Sequence, residues 1–147
     1  MSGAYRPPVT LTRHHDRSDF RCRSDEQTQW FTDHALNAHR SGTAKVFVVT
    51  PADDAGTVAS YYAWAMAGVR PADLADRARK GAGRYPQPVA LLARLGVDLQ
   101  HERRGLGAAM LVDVIRRTIG LADQIGCRGL LIHAENDDAR DFYAHLL

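Results

Sequence analysis

The stretch that most constrains this chain runs from residue 89 to 112, VALLARLGVDLQHERRGLGAAMLV. Val89 to Val97 is aliphatic and carries one charge, Arg94. That pattern predicts a strand covered on both faces. Asp98 to Arg104 is polar and breaks the run. Gly105 and Gly107 then open a segment, to Ile125, whose apolar positions change to helical spacing. A buried strand that passes through glycines into a helix belongs to a layered α/β chain, with helices against a sheet.

Such a junction suits an anion. The first N–H groups of a helix have no partner inside it, and the helix dipole adds partial positive charge there. Glycine lets a phosphate approach the backbone, and Arg103 and Arg104 add full charges. Gly-x-Gly also serves as an ordinary helix start. The dinucleotide-binding fingerprint is incomplete, because position 110 is Met where a third glycine belongs, and no Gly-Lys-Ser/Thr follows.

Arg94-Leu95-Gly96-Val97-Asp98, then Glu102-Arg103-Arg104-Gly105-Leu106-Gly107-Ala108-Ala109, resembles the acyl-CoA-binding core of the GNAT acetyltransferases. That family's motif is Gln/Arg-x-x-Gly-x-Gly/Ala. Glu102 occupies the Gln/Arg slot, a departure, while Arg104-x-x-Gly107-x-Ala109 fits in a second register. The resemblance implies a GNAT fold, a mixed central sheet with helices on both faces. It implies acetyl-CoA as cosubstrate and no metal. The cofactor would lie against Leu95, Gly96, Val97, Arg103, Arg104, Gly105, Leu106, Gly107 and Ala108. Gly96 is expected at a bulge that splays the strand from its neighbour.

At 147 residues the chain is expected to form a single domain, with residues 1–19 as an N-terminal arm. The net charge of +2 allows an anionic partner without requiring one. Cys22 and Cys127 stand far apart with no metal-ligand spacing around them, so free thiols and a cytoplasmic location are expected. No signal-like or membrane-spanning run occurs in the sequence.

Before the core motif, Val9 to Leu11 reads as a short edge strand. Ser24-Asp25-Glu26-Gln27 reads as a capping box for a helix that Ser41-Gly42 ends. Lys45 to Thr50 and Thr57 to Met66 form a hairpin around a turn at 51–56. In the long helix, Leu111, Val114, Leu121 and Ile125 make a core stripe, with Asp113, Arg117 and Gln124 opposite and Gly126 as the stop. Gly129 to Ala134 reads as a buried strand, and Asn136-Asp137-Asp138 caps a last helix. Arg116-Arg117 reads as a solvated face, with RNA contact as the lesser reading, and Cys127 as structural.

Phe20-x-Cys22, Trp30-Phe31 through Ala38, Phe47-Val48-Val49 and Tyr61-Tyr62 resemble one GNAT subgroup, the TacT-like toxins of bacterial toxin–antitoxin pairs. There Ser60 replaces the Gly of Gly-Tyr-Tyr. The likeness spans about Phe20 to Tyr143. It implies acetyl transfer to the amino group of aminoacyl-tRNA, a block on translation, a ribbon-helix-helix antitoxin that carries the DNA contact, and a homodimer. Two rivals stand beside it: an acetyltransferase of small amines or protein N-termini, and a non-catalytic acyl-CoA-binding module.

Asn136-x-x-Ala139-x-x-Phe142-Tyr143 matches the family's final-helix pattern. The resemblance makes Tyr143 the general acid that protonates the departing CoA thiolate, and sets Asn136 and Phe142 beside the cofactor. By residue type alone, Tyr143 would serve as a packing ring. His133 reads as a core histidine or, with Glu135, as a general base. The linker at 68–88 reads equally as a solvated loop or as a patch that meets tRNA phosphates through Arg77, Arg79, Lys80 and Arg84. The family's usual closing Gly-Phe and final strand are not found after Phe142-Tyr143, so the C-terminal strand is expected to be missing.

Overall fold

A computed structural model of the chain describes residues 4–73, 81 and 83–133. The described elements are β1 (Val9–Thr10), α1 (Asp25–Asp33), α2 (Ala35–Ser41), β2 (Lys45–Val49), β3 (Ser60–Val69), β4 (Gln87–Val97), α3 (Leu106–Ala122) and β5 (Leu130–Ile132). The strands lie in one sheet in the order β1-β2-β3-β4-β5. The first three pairings are antiparallel and β4–β5 is parallel. The parallel pair requires a crossover, and α3 provides it. The expected mixed sheet with helices on both faces is therefore present.

Strand alternation divides the core in two. Phe47, Val49, Tyr62 and Leu92 face α3, where Leu106, Met110, Leu111 and Val114 close over them. Val46, Val48, Tyr61 and Ala63 face the other way, against Phe20, Phe31 and Ala35. The arm takes part in this core. Leu11 and Phe20 are both 2% exposed, and β1 pairs with β2 at the sheet edge.

Several expectations are corrected. The single helix from 25 to 41 is two helices broken at His34, which has φ −126° and ψ −20°. Arg17 Nη1 donates to the Thr32 carbonyl at 2.6 Å, the group that a continuing helix would offer to Leu36. Thr28 and Thr32 also bond back to the carbonyls four residues earlier, which bends helices. The end of α2 is as expected, since Gly42 adopts φ 81° and Thr43 N–H reaches Ala38 O at 3.1 Å.

The bulge lies at Ala93, not Gly96. Ala63 pairs with Arg94 and Trp64 with Leu92, so Ala93 is the extra residue. Gly96 is small for another reason. A Cβ there would come within 3.0 Å of Tyr61 Cε1 and 3.1 Å of Cys22 Sγ.

In α3, Leu111 and Val114 are buried as expected, with Leu106, Met110 and Thr118. The helix ends at Ala122 with Asp123 as cap, so Gly126 does not stop it, and Ile125 is 60% exposed beyond the end. Asp113 and Arg117 do not lie opposite the core but reach over its edge to β2 and β3. Among the described residues of the expected buried strand at 129–134, Leu130 to Ile132 pair with β4, and Leu131 is 48% exposed. Among the described residues, only the α3 side of that strand is packed, through Leu130 and Ile132. The expected last helix and missing closing strand concern residues outside those described. Among the described residues, no helix is long and apolar enough to cross a membrane.

Candidate active site

The bulge decides what β4 offers. Among the described residues, pairing with β5 ends at Leu92, which matches Ile132 and accepts from His133 N–H at 3.1 Å. On its other side β4 stays paired with β3 as far as Ser60–Val97, and Asp98 N–H bonds to Ala59 O at 2.8 Å. Alternation from Asp98 turns the amides of Gly96 toward β3 and those of Leu95 and Val97 toward the opposite edge. Among the described residues no strand pairs with that edge. It is a short row of backbone donors and acceptors open to an extended, amide-bearing ligand.

The row runs directly into the turn before α3. Asp98 fixes the corner, taking Gln100 N–H at 2.9 Å and Arg21 N–H at 3.0 Å. The chain then passes through two left-handed residues, Arg103 at φ 63° and Gly105 at φ 80°. Arg103 is the one non-glycine residue with positive φ among those described, a strained state that ordered surroundings must hold. Gly105 caps α3 without a side-chain bond, and the first helical bond is Ala109 N–H to Gly105 O at 3.0 Å. The amides of Leu106 to Ala108 therefore precede the helical ladder. Leu106, 1% exposed, anchors the turn in the core, while Arg103, Arg104 and Gly105 are exposed.

Side chains from distant parts of the sequence frame this turn. Arg104 Nη1 donates to the Tyr5 hydroxyl at 3.1 Å, and that hydroxyl lies 2.7 Å from His101 Nδ1. Arg23 grips Glu102 through Nε at 2.6 Å and Nη2 at 3.2 Å. On the α1 side of the sheet, Arg94 donates to Gln27 Oε1 at 3.0 Å and lies 5.0 Å from the Trp30 ring centroid. Ala93 packs on that same face, as a bulge requires.

Leu95, Gly96, Val97 and Arg103 through Ala108 are thus brought together at one end of β4, with Gly96 turned into the aromatic core. Arg84 is exposed at the other end, beyond the 11 residues of β4. At about 3.3 Å per residue that separation is roughly 35 Å. Tyr143, Asn136, Phe142, Arg77, Arg79, Lys80 and Glu135 lie outside the described residues. His133 is exposed rather than core, because strand alternation puts it on the same face as the exposed Leu131. Cys127 is half-buried, with its thiol 3.5 Å from Gly129 O. The described residues hold no group of three or more potential metal-ligating side chains. Sequence reasoning missed Tyr5, Arg23 and His101. The one available signal was Glu102, an acid in a slot where a cation or an amide is usual.

Among the described residues, a strand edge without a partner strand leads into an arginine-flanked helix start within this mixed sheet, the arrangement that the GNAT resemblance implies for an acyltransferase. No family model matches the chain. A tRNA-acetylating toxin of Mycobacterium tuberculosis is 39% identical over 145 residues, which cover 99% of this chain and 84% of the relative. The chain belongs to that family, the tRNA-acetylating toxins. Solved structures share the fold. AtaT complexed with acetyl-methionyl-tRNAfMet has a TM-score of 0.85 at 22% identity, covering 95% of this chain and 84% of that one. A variant of KacT has a TM-score of 0.89 at 19% identity, covering 97% and 85%. A variant of AtaT has also been solved bound to the C-terminus of the antitoxin AtaR and acetyl-CoA.

Proposed function

We propose that this chain transfers acetyl from acetyl-CoA to the amino group of an aminoacyl-tRNA and so blocks translation. The observation that carries the reading is the continuity of the β4 edge at Leu95 and Val97, which no described strand pairs, with the amides at the start of α3. The pantetheine arm would bond to the Leu95 and Val97 backbone. The diphosphate would rest on the amides of Gly105 to Ala108, with Arg103 and Arg104 supplying charge. Asn136 and Phe142 complete the proposed cofactor contacts.

The amine nitrogen attacks the thioester carbonyl, the C–N bond forms, and the C–S bond breaks. Backbone N–H groups on the free edge stabilise the oxyanion. Tyr143 donates its hydroxyl proton to the thiolate as general acid. An α-amino group with a pKa near 8 is already partly neutral at pH 7, so no dedicated base is required before attack, and the proton shed by the acylated nitrogen passes through solvent to restore the Tyr143 hydroxyl. The rest is positioning of two bound reactants. Arg77, Arg79, Lys80 and Arg84 would contact tRNA phosphates, and the roughly 35 Å span of β4 between Arg84 and the Gly105 turn supports contact with the acceptor stem rather than its 3′ end. A ribbon-helix-helix antitoxin carrying the DNA contact, a homodimer and a cytoplasmic setting complete the proposal.

Incubation of charged tRNA with acetyl-CoA and the protein, followed by mass analysis of the released aminoacyl group, tests it. A mass increase of one acetyl group on at least one tRNA is the expected result. Unmodified amino groups on every charged tRNA would overturn it. Tyr143→Phe should slow turnover roughly 10²- to 10⁴-fold.

A further inference from the structure

Glu102 stands where the GNAT motif carries Gln or Arg, at the edge of the turn read here as the diphosphate site. A bare carboxylate there would repel a diphosphate. The fold brings Arg23 to that carboxylate from 79 residues away, through a two-pronged contact of 2.6 and 3.2 Å. The side chain of Glu102 is 25% exposed and that of Arg23 73%, so the pair sits at the surface with the guanidinium outward. An exposed pair of this kind adds little to folding stability. Its main consequence is where it holds the guanidinium. The fork uses two of the five N–H groups of arginine and leaves the others to a second acceptor.

We propose that Arg23, held by Glu102, is an acetyl-CoA-binding residue that supplies to the diphosphate the cation missing at position 102. Glu102 is then a positioning residue that fixes the plane of the fork. Arg23 lies just before α1, and Arg103 and Arg104 follow Glu102 in the turn. Arginines from two separate segments would therefore meet the phosphates. This inference rests on the reading of the Gly105 turn as the diphosphate site, but not on the identity of the amine.

The test is calorimetric binding of CoA to the full chain and its variants, with thermal melting as a control for folding. Arg23→Ala should weaken CoA at least tenfold with little change in the melting temperature. It should also lower the slope of log Kd against log salt, since one phosphate contact is lost. Arg23→Lys should fall between the two, because a point charge lacks the fork. Glu102→Gln, which keeps an acceptor for the Arg23 fork but removes the charge, is the background against which the double variant is read. The double variant Arg23→Ala/Glu102→Gln is decisive and should stay at least fivefold weaker than Glu102→Gln. Recovery of full affinity in that double variant would show that Arg23 only neutralises Glu102, and would overturn the proposal. Unchanged CoA affinity in Arg23→Ala would overturn it as well. Wild-type protein that binds CoA but leaves charged tRNA unmodified would count against the tRNA reading alone.

Discussion

Tyr62, fully buried in β3, donates its hydroxyl to Asp113 Oδ2 of α3 at 2.7 Å. Arg117 Nε donates to the same oxygen at 2.9 Å, and its guanidinium carbon lies 4.1 Å from the Phe47 ring centroid. Phe47 in turn stacks on Tyr62 at 5.1 Å. These four residues close a ring of contacts across β2, β3 and α3. They fix how α3 lies on the sheet, and so where its first amides meet the end of β4.

This contact predicts an alkaline weakness. Burial first, and then the bond to Asp113, push the Tyr62 hydroxyl well above its ordinary value near 10. The raised value means that the stabilisation is complete below about pH 10, where the unfolded tyrosine also holds its proton. It is lost as pH rises from there toward the folded value, with a slope approaching about 1.4 kcal/mol per pH unit from this one group. Tyr62→Phe should cost about 1–3 kcal/mol at pH 7 and remove that part of the slope. Urea unfolding of both proteins from pH 7 to 11 measures it. Parallel curves throughout would show that the hydroxyl does not govern alkaline stability.

Gly96 gives a second prediction. Its neighbours Tyr61, Cys22 and Phe20 stand 3.0, 3.1 and 3.4 Å from where a Cβ would be. Two of these belong to rings packed face or edge against others, Phe31 stacking on Tyr61 at 4.4 Å, so they have little room to move. Gly96→Ala should destabilise by about 1–3 kcal/mol through overpacking, and Gly96→Val by more. Denaturant midpoints would report it.

Much of this was legible in the residues. The aliphatic run at 89–97, the hairpin, the Ser24 cap and the Gly105 turn announced themselves through local chemistry, because each rests on neighbours in sequence. The contacts that shape the site were not legible. Arg17 reaches Thr32 O, Arg23 reaches Glu102, and Tyr5 reaches Arg104 only after the arm has wrapped the sheet. The bulge at Ala93 left no local mark either, since alanine suits a regular strand position as well as a bulged one. Asp113 and Arg117 misled because helical periodicity sorts by polarity, whereas a buried hydroxyl on β3 called a carboxylate inward.

A third prediction concerns the start of α1. Ser24 Oγ accepts Gln27 N–H at 3.0 Å, and Gln27 O accepts the buried Tyr61 hydroxyl at 2.8 Å. The cap therefore holds a turn that also satisfies a core phenol. Ser24→Ala should cost about 0.5–2 kcal/mol, and Ser24→Asp should keep most of the stability. Thermal unfolding of the two variants checks this, and equal losses in both would point away from capping.

Gly105 separates folding from binding. It sits at φ 80° with open space where a Cβ would project, so its cost to substitution is conformational rather than steric. Alanine there should lose about 1–2 kcal/mol, because a left-handed residue with a Cβ crowds its own carbonyl. Asparagine tolerates that conformation and should recover most of the loss. Both side chains nevertheless project from an exposed residue at the start of α3, where the diphosphate is proposed to approach. CoA affinity should therefore fall in both variants, and Gly105→Asn should combine near-normal unfolding with weakened CoA binding. If Gly105→Asn binds CoA as tightly as the wild type, the glycine serves only the turn, and the phosphates must lie elsewhere.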